Sequence, residues 1–416
     1  MFKYSRTFYK LLSFDLLSKL GSSIFMFGAT LYIYDVTQSV FAYTIVLAIS
    51  MLVGTLAQPF IGYISDFLNN QKIITISQTV SVLSLILYLI WPSPHFILLA
   101  IVITLLNLID SIIQNSILTS MKRILYEDEV NVIIPLRQSI MTGVNILSPI
   151  VGGFMFAFVP FKLFVITVLI TECISMILIL LINFKHDEKQ SQIQPSQSMF
   201  KEIKAGFQYV LKHKVIRAML VIAMTANLLF SSVTAGIPKI FMEDFSLGAH
   251  RLGIVEGSLM MGMFIGGLVV SKISKQLKLK NSLVGGQFVV ALVLVSFSFP
   301  YFISMNVTLM TIIYAIITFI LGLTMVVQNT PFQIYLHNQV EEHMKGRMFS
   351  VVSMIAMFVI PLGLIAFGML YTYIPLHYVL FGASGLLILS ILLFGHQVPN
   401  IYPSNCLLYT SDAADE

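Results

Sequence analysis

Residues 281–340 read NSLVGGQFVVALVLVSFSFPYFISMNVTLMTIIYAIITFILGLTMVVQNTPFQIYLHNQV, without a single Lys, Arg, Asp or Glu. A helix crossing a bilayer uses about 20 mostly apolar residues, so the stretch is too long for one crossing. It must fold back on itself, and Pro300 through Asn306 supplies the turn. The uncharged stretch 348–395 obeys the same argument and breaks around Tyr373-Ile374-Pro375.

Working outward, the same reading covers the chain. Of 416 residues, 57% are hydrophobic and 10% charged, where a soluble protein carries about 25% charged. Spans are expected near 12–33, 40–63, 73–91, 96–118, 136–158 and 162–184, then near 216–237, 252–271, 282–301, 307–328, 349–371 and 375–395. Basic loops stay cytoplasmic. With the N-terminus inside, 20 of the 24 Lys and Arg fall on the inner side, Arg137 among them. Lys162, Lys239 and Arg251 fall outside, and Lys19 lies within the first span. One span more or fewer would scramble this asymmetry. The expected fold class is an all-α membrane protein, twelve transmembrane helices in two pseudo-symmetric six-helix bundles with both termini cytoplasmic. The basic stretch Met1–Lys10 precedes a long apolar run without a small-residue cleavage site, so the first span is expected to stay in the membrane.

The long polar stretch 185–215 divides the spans six and six: 1–184 forms one bundle and 216–395 the other. Within it, Phe200, Ile203, Phe207, Val210 and Leu211 recur at helical spacing between lysines, which predicts an amphipathic helix on the inner membrane surface. A tail follows at 396–405. Cys406–Glu416 back-translates onto one DNA string resembling a library-preparation adapter, and is read as foreign to the fold. That leaves Cys173, and no disulfide framework.

The halves share weak internal similarity: Gly62-x-x-x-Asp66 against Gly267-x-x-x-Ser271, and Pro149-x-x-Gly152 against Pro361-x-Gly363. Such repeats build rocking transporters, with the site near mid-membrane. The segment from Gln58 to Lys72 resembles the loop signature Gly-x-x-x-Asp-Arg-x-Gly-Arg-Lys of the major facilitator superfamily. Gly62, Asp66 and Lys72 match, while Phe67 stands in place of the Arg. Gly346-Arg347-Met348-Phe349 also matches, and Ser148-Pro149-Ile150-Val151-Gly152-Gly153 resembles the antiporter signature Gly-Pro-x-x-Gly-Gly, with Ser148 for its first Gly. The chain therefore resembles that superfamily, in the drug-exporter branch that includes bacterial macrolide-efflux-like proteins. The resemblance implies a bacterial plasma-membrane location and an inner gate at Gly62, Asp66, Lys72, Gly346 and Arg347. There Asp66 either latches onto the start of the eleventh span or is an ordinary acid beside Lys72. The Ser148–Gly153 motif either marks an exporter or is a kinked, tightly packed helix.

Intramembrane charges are functional candidates by default, because each costs about 2.5–3.5 kcal/mol to insert. Asp110 leads. With Asn107, Gln114 and Asn115 it shares one face of the fourth span, and a polar face cannot meet lipid. Either it lines a central cavity and binds a proton or a cationic substrate, or it locks the span to a neighbour. Asp15 and Lys19 stand four apart, the spacing of an intrahelical ion pair; a gate opened by protonating Asp15 is the functional version. Glu256 lies among Gly253, Gly257, Gly262 and Gly266, and reads as a proton site or as an exposed acid of the outer vestibule. Glu172 reads as a neutral, hydrogen-bonded acid in a peripheral helix.

Other classes recede. There is no Gly-rich phosphate loop, His-Glu-x-x-His or Gly-x-Ser-x-Gly, so neither an enzyme nor a cofactor is expected. The histidines show no metal-ligand spacing. Basic residues without interleaved aromatics exclude a nucleic-acid surface; they orient the chain against lipid headgroups. Spans 1, 4, 7 and 10 carry no central Arg, against a multi-anionic substrate. The expectation is a monomeric, proton-coupled exporter of amphipathic small molecules, whose partners are the bilayer, its substrate and protons. A nutrient importer and a non-transporting membrane sensor are the alternatives.

Overall fold

The computed structural model describes residues 4–67, 69–91, 95–182, 184, 199–340 and 342–402. The helices are α1 (Arg6–Thr37), α2 (Val40–Phe67), α3 (Asn70–Ile90), α4 (Phe96–Ile124), α5 (Glu127–Phe158), α6 (Phe161–Leu180), α7 (Met199–Lys212), α8 (Lys214–Pro238), α9 (Ala249–Ile273), α10 (Leu279–Phe297), α11 (Val307–Gln339), α12 (Glu342–Tyr373) and α13 (Leu376–Phe394). Among the described residues, twelve helices are long and apolar enough to cross a membrane. The protein is a multi-pass, all-helical membrane protein.

Local chemistry sets the turns. The uncharged run of 281–340 folds back through a 3-10 turn at Phe299–Tyr301, and Asn306 caps α11 by accepting the Leu309 N–H at 2.8 Å. Asn69 likewise caps α3, its side chain accepting the Lys72 N–H at 3.1 Å. Pro375 stands at the start of α13, where a missing N–H is harmless.

Several helices overrun the expected spans. α2 continues through Gly62 and Asp66 to Phe67, so the signature expected in a loop is largely helical. α5 begins at Glu127, where three acids in its first turn suit the positive end of a helix. Glu129, buried there, accepts from the Ser5 N–H at 2.5 Å and the Ser5 hydroxyl at 3.1 Å, tying the start of α1 to α5. The expected surface helix is α7. Its Val210 is buried with Met348, Val351 and Val352 of α12, while Phe207 and Leu211 stay exposed. The remaining linker, 185–198, and the tail from 403 onward, including Cys406–Glu416, lie outside the described residues.

Contacts group the chain into two compact units: Met1–Gln192 with Pro238–Gly257, and Ile193–Ile237 with Ser258–Glu416. The first is cored by Phe8, Leu11, Phe14, Phe25 and Phe164, the second by Met219, Ile222, Leu279 and Leu336. Large apolar side chains also point outward, including Leu83, Leu87 and Ile90 of α3 and Leu389, Leu392 and Leu393 of α13. In water such surfaces would aggregate; against acyl chains they are matched to their solvent.

Candidate functional site

Four charged residues of the first unit gather where α1 meets α4 and α5. Asp15 and Lys19 are one turn apart on α1, Asp110 and Gln114 one turn apart on α4, and Arg137 faces them from α5. Asp15 is fully buried. Arg137 holds it with two bonds, Nε to Oδ2 at 2.5 Å and Nη2 to Oδ1 at 3.0 Å. Gln114 closes the triangle, accepting from Arg137 Nη2 at 2.7 Å and donating to Asp15 Oδ1 at 3.1 Å. A carboxylate removed from water needs such a bidentate partner, since attraction alone offsets desolvation only when geometry is good.

One turn along, Lys19 Nζ donates to Asp110 Oδ2 at 3.0 Å, and the Ser22 hydroxyl donates to the same oxygen at 2.7 Å. This pair is less enclosed: the Lys19 and Asp110 side chains are 27% and 17% exposed, against 10% for Arg137. What they are exposed to is a cavity of about 450 Å³ within the first unit. Gln58, Asn107, Ser111, Gln114, Asn115 and Gln138 supply its polar wall, and Leu118, Met121, Ile134 and Met141 its apolar one. Arg137 borders it as well, so its wall carries Lys19, Arg137 and Asp110, with Asp15 buried behind Arg137.

Asp15 and Lys19 therefore do not pair with each other, although their spacing allows it. α4 and α5 present the opposite charge at the height of each turn, and both residues turn outward from α1 to meet them. Arg137 is the functional residue the sequence reading missed. Counted among inner-side basic residues, it is instead a buried arm of α5, 8% exposed. The signal that could have found it is the acid-rich start Glu127–Glu129, which moves the helix start two to three turns earlier.

The other predicted residues scatter. Ser148 and Pro149 are buried in α5. Gly152 lies against Ile24 and Phe27 of α1, and Gly153 against α9, where a Cβ would stand 2.5 Å from the Ala249 carbonyl oxygen. Consecutive glycines thus let α5 approach two neighbours at once. Glu256 lies on α9 within electrostatic reach of Tyr43 of α2, and it does not line the cavity. Glu172 is buried between α6 and α3. Lys72 is exposed at the start of α3; Gly62, Asp66, Gly346 and Arg347 are helical, and their surroundings lie outside what is described. A further cluster went unforeseen: a π-helical turn, Lys239–Asp244, follows α8. There Glu243 accepts from the Tyr34 hydroxyl at 2.6 Å and from Lys239 at 2.7 Å.

Twelve apolar helices with charges turned away from lipid, onto a cavity, define a membrane transporter. The family model described as Major Facilitator Superfamily matches residues 16–364, and the chain belongs to that family. No curated protein matches the chain. Solved structures agree in fold. The nucleoside transporter NupG is 15% identical, with a TM-score of 0.74 over 94% of this chain and 99% of that one. A bacterial metal transporter is 13% identical, with a TM-score of 0.66 over 95% and 99%. A D-xylose-proton symporter is 10% identical, with a TM-score of 0.65 over 94% and 98%.

Proposed function

We propose that the chain is a proton-coupled exporter of amphipathic small molecules, working by alternating access in a bacterial plasma membrane. One observation carries the reading: of two carboxylates side by side, Asp15 is fully buried behind Arg137, which itself borders the cavity, while Asp110 opens onto the cavity with Lys19. The Asp15–Arg137 pair fixes α1 against α5. The Lys19–Asp110 pair is where an arriving ion can change a bond. A proton on Asp110 removes the charge that holds Lys19, and a cationic group on a substrate competes for the same carboxylate oxygens. Two ligands that exclude each other at one carboxylate are what exchange requires. The wall formed by Leu118, Met121, Ile134 and Met141 suits the apolar part of such a substrate.

The test is transport of a panel of macrolides and lipophilic cations into inverted membrane vesicles. Collapsing the pH gradient with an ionophore should stop accumulation, and Asp110→Asn should abolish gradient-driven transport. Full gradient-driven transport by Asp110→Asn would sink the reading.

A second reading, import of a polar nutrient, draws on the amide-rich wall of Gln58, Asn107, Gln114, Asn115 and Gln138. Two relatives in fold are a nucleoside transporter and a D-xylose-proton symporter. Growth rescue on candidate nutrients, set against drug susceptibility in an efflux-deficient host, separates the two.

A further inference from the structure

Away from the cavity, the first unit buries an acid in mid-helix. Glu172 of α6 is 3% exposed. Two donors of α3 converge on its Oε2, Gln78 Nε2 at 2.5 Å and Ser81 Oγ at 3.1 Å. The second hydrogen of the same Gln78 amide goes to the Glu172 backbone carbonyl at 3.1 Å. Among the described residues no Lys, Arg or His forms an ion pair with it. The arrangement fills one carboxyl oxygen with donors and leaves the other with none among the described residues. An isolated carboxylate at bilayer depth is costly, and a proton on that second oxygen removes the charge without disturbing the bonds at the first.

The second oxygen has a direction. Oε1 faces α1 at Gly21, 3.7 Å from where a Cβ of that residue would stand; the Thr171 hydroxyl packs into the place that side chain would take, so α6 lies close against α1 there. The next residue, Ser22, donates to Asp110 on the cavity side. Of the charged groups on the packed helices, α3 offers Glu172 only neutral donors. Asp15 and Lys19 of α1 are engaged by Arg137 and Asp110, and the field of Asp110 from α4 reaches Glu172. One thin step of α1 therefore separates two carboxyl groups.

We propose that Glu172 is a second proton-binding site, exchanging its proton with Asp110 across the Gly21–Ser22 step of α1; this rests on Asp110 being the proton acceptor of the transport cycle. The exchange balances. The proton leaves Glu172 as a carboxylate and joins Asp110, whose ion pair with Lys19 breaks, so the charge of the unit is unchanged and Lys19 is freed toward the cavity.

Infrared difference spectroscopy during pH titration tests this on the full chain in lipid nanodiscs, with no substrate present. The expected result is a carboxylic-acid C=O band that is lost on raising the pH and absent from Glu172→Gln. In Asp110→Asn its midpoint should shift measurably, because a neighbouring charge is gone and Lys19 is left unpaired. Glu172→Gln keeps an acceptor for Gln78 and Ser81, and Glu172→Asp should keep a displaced band, so misfolding and loss of the acid are separable. A band that never titrates, or one with the same midpoint in Asp110→Asn, overturns the proposal and makes Glu172 a fixed neutral acid. Because the readout needs no flux, the proposal can fail while export stands, or hold while export fails.

Discussion

Arg137 and Asp110 show how differently two charged side chains can be used within a few ångströms. The Asp15–Arg137 pair is buried and bidentate, so Asp15→Asn leaves a guanidinium without its partner, at a cost of about 3–5 kcal/mol. Thermal unfolding in detergent should record a clear loss for Asp15→Asn and a smaller one for Lys19→Gln, whose pair is open to the cavity. Equal losses would remove the distinction between a buried and a working pair. At this scale the sequence is only half legible. That Asn107, Asp110 and Gln114 share a face follows from helical period alone. Which cation meets which acid does not, because the partners stand 91 and 122 residues apart and the nearest candidate by spacing is the wrong one.

Helix ends and crossings come next. The turn at Pro300–Asn306 and the break at Pro375 were readable, because proline and an Asn cap are local signals. The overruns of α2 and α5 were not, since a helix leaving hydrocarbon keeps its hydrogen-bond ladder while its side chains turn polar. The glycine motif of α5 was visible as a string, but its two partners were not. A Cβ on Gly253 would collide with the Pro149 carbonyl, so Gly253→Val should force α5 from α9. Size-exclusion chromatography should then show aggregated or poorly folded protein, whereas Gly267→Ala, where a Cβ meets nothing within 4 Å, should be neutral. Tyr34→Phe removes a single hydrogen bond to Glu243 and should lower thermal stability by about 1 kcal/mol.

For the molecule as a whole, solvent made the reading possible. A bilayer forces every spanning backbone group into a helix, so the count of twelve could be taken from hydrophobic length and from the placing of Lys and Arg. The same charge bias predicts sidedness. In a variant with Cys173 and Cys406 replaced by Ser, a cysteine at Ser39, between α1 and α2, should react with an impermeant reagent added to intact cells. One at Asn69, between α2 and α3, should react only after permeabilisation. The opposite pattern would invert the whole topology.

The unused spacing of Asp15 and Lys19 has a consequence for biosynthesis. When α1 leaves the ribosome, neither Asp110 nor Arg137 has been made, and two lone charges would resist partitioning by about 2.5–3.5 kcal/mol each. An i, i+4 pair within the nascent segment can mask both until α4 and α5 arrive to claim them. Translocon-mediated insertion of isolated α1, scored by glycosylation mapping, should fall for Asp15→Asn and recover when Lys19→Gln is added; no recovery would deny the pair this temporary role.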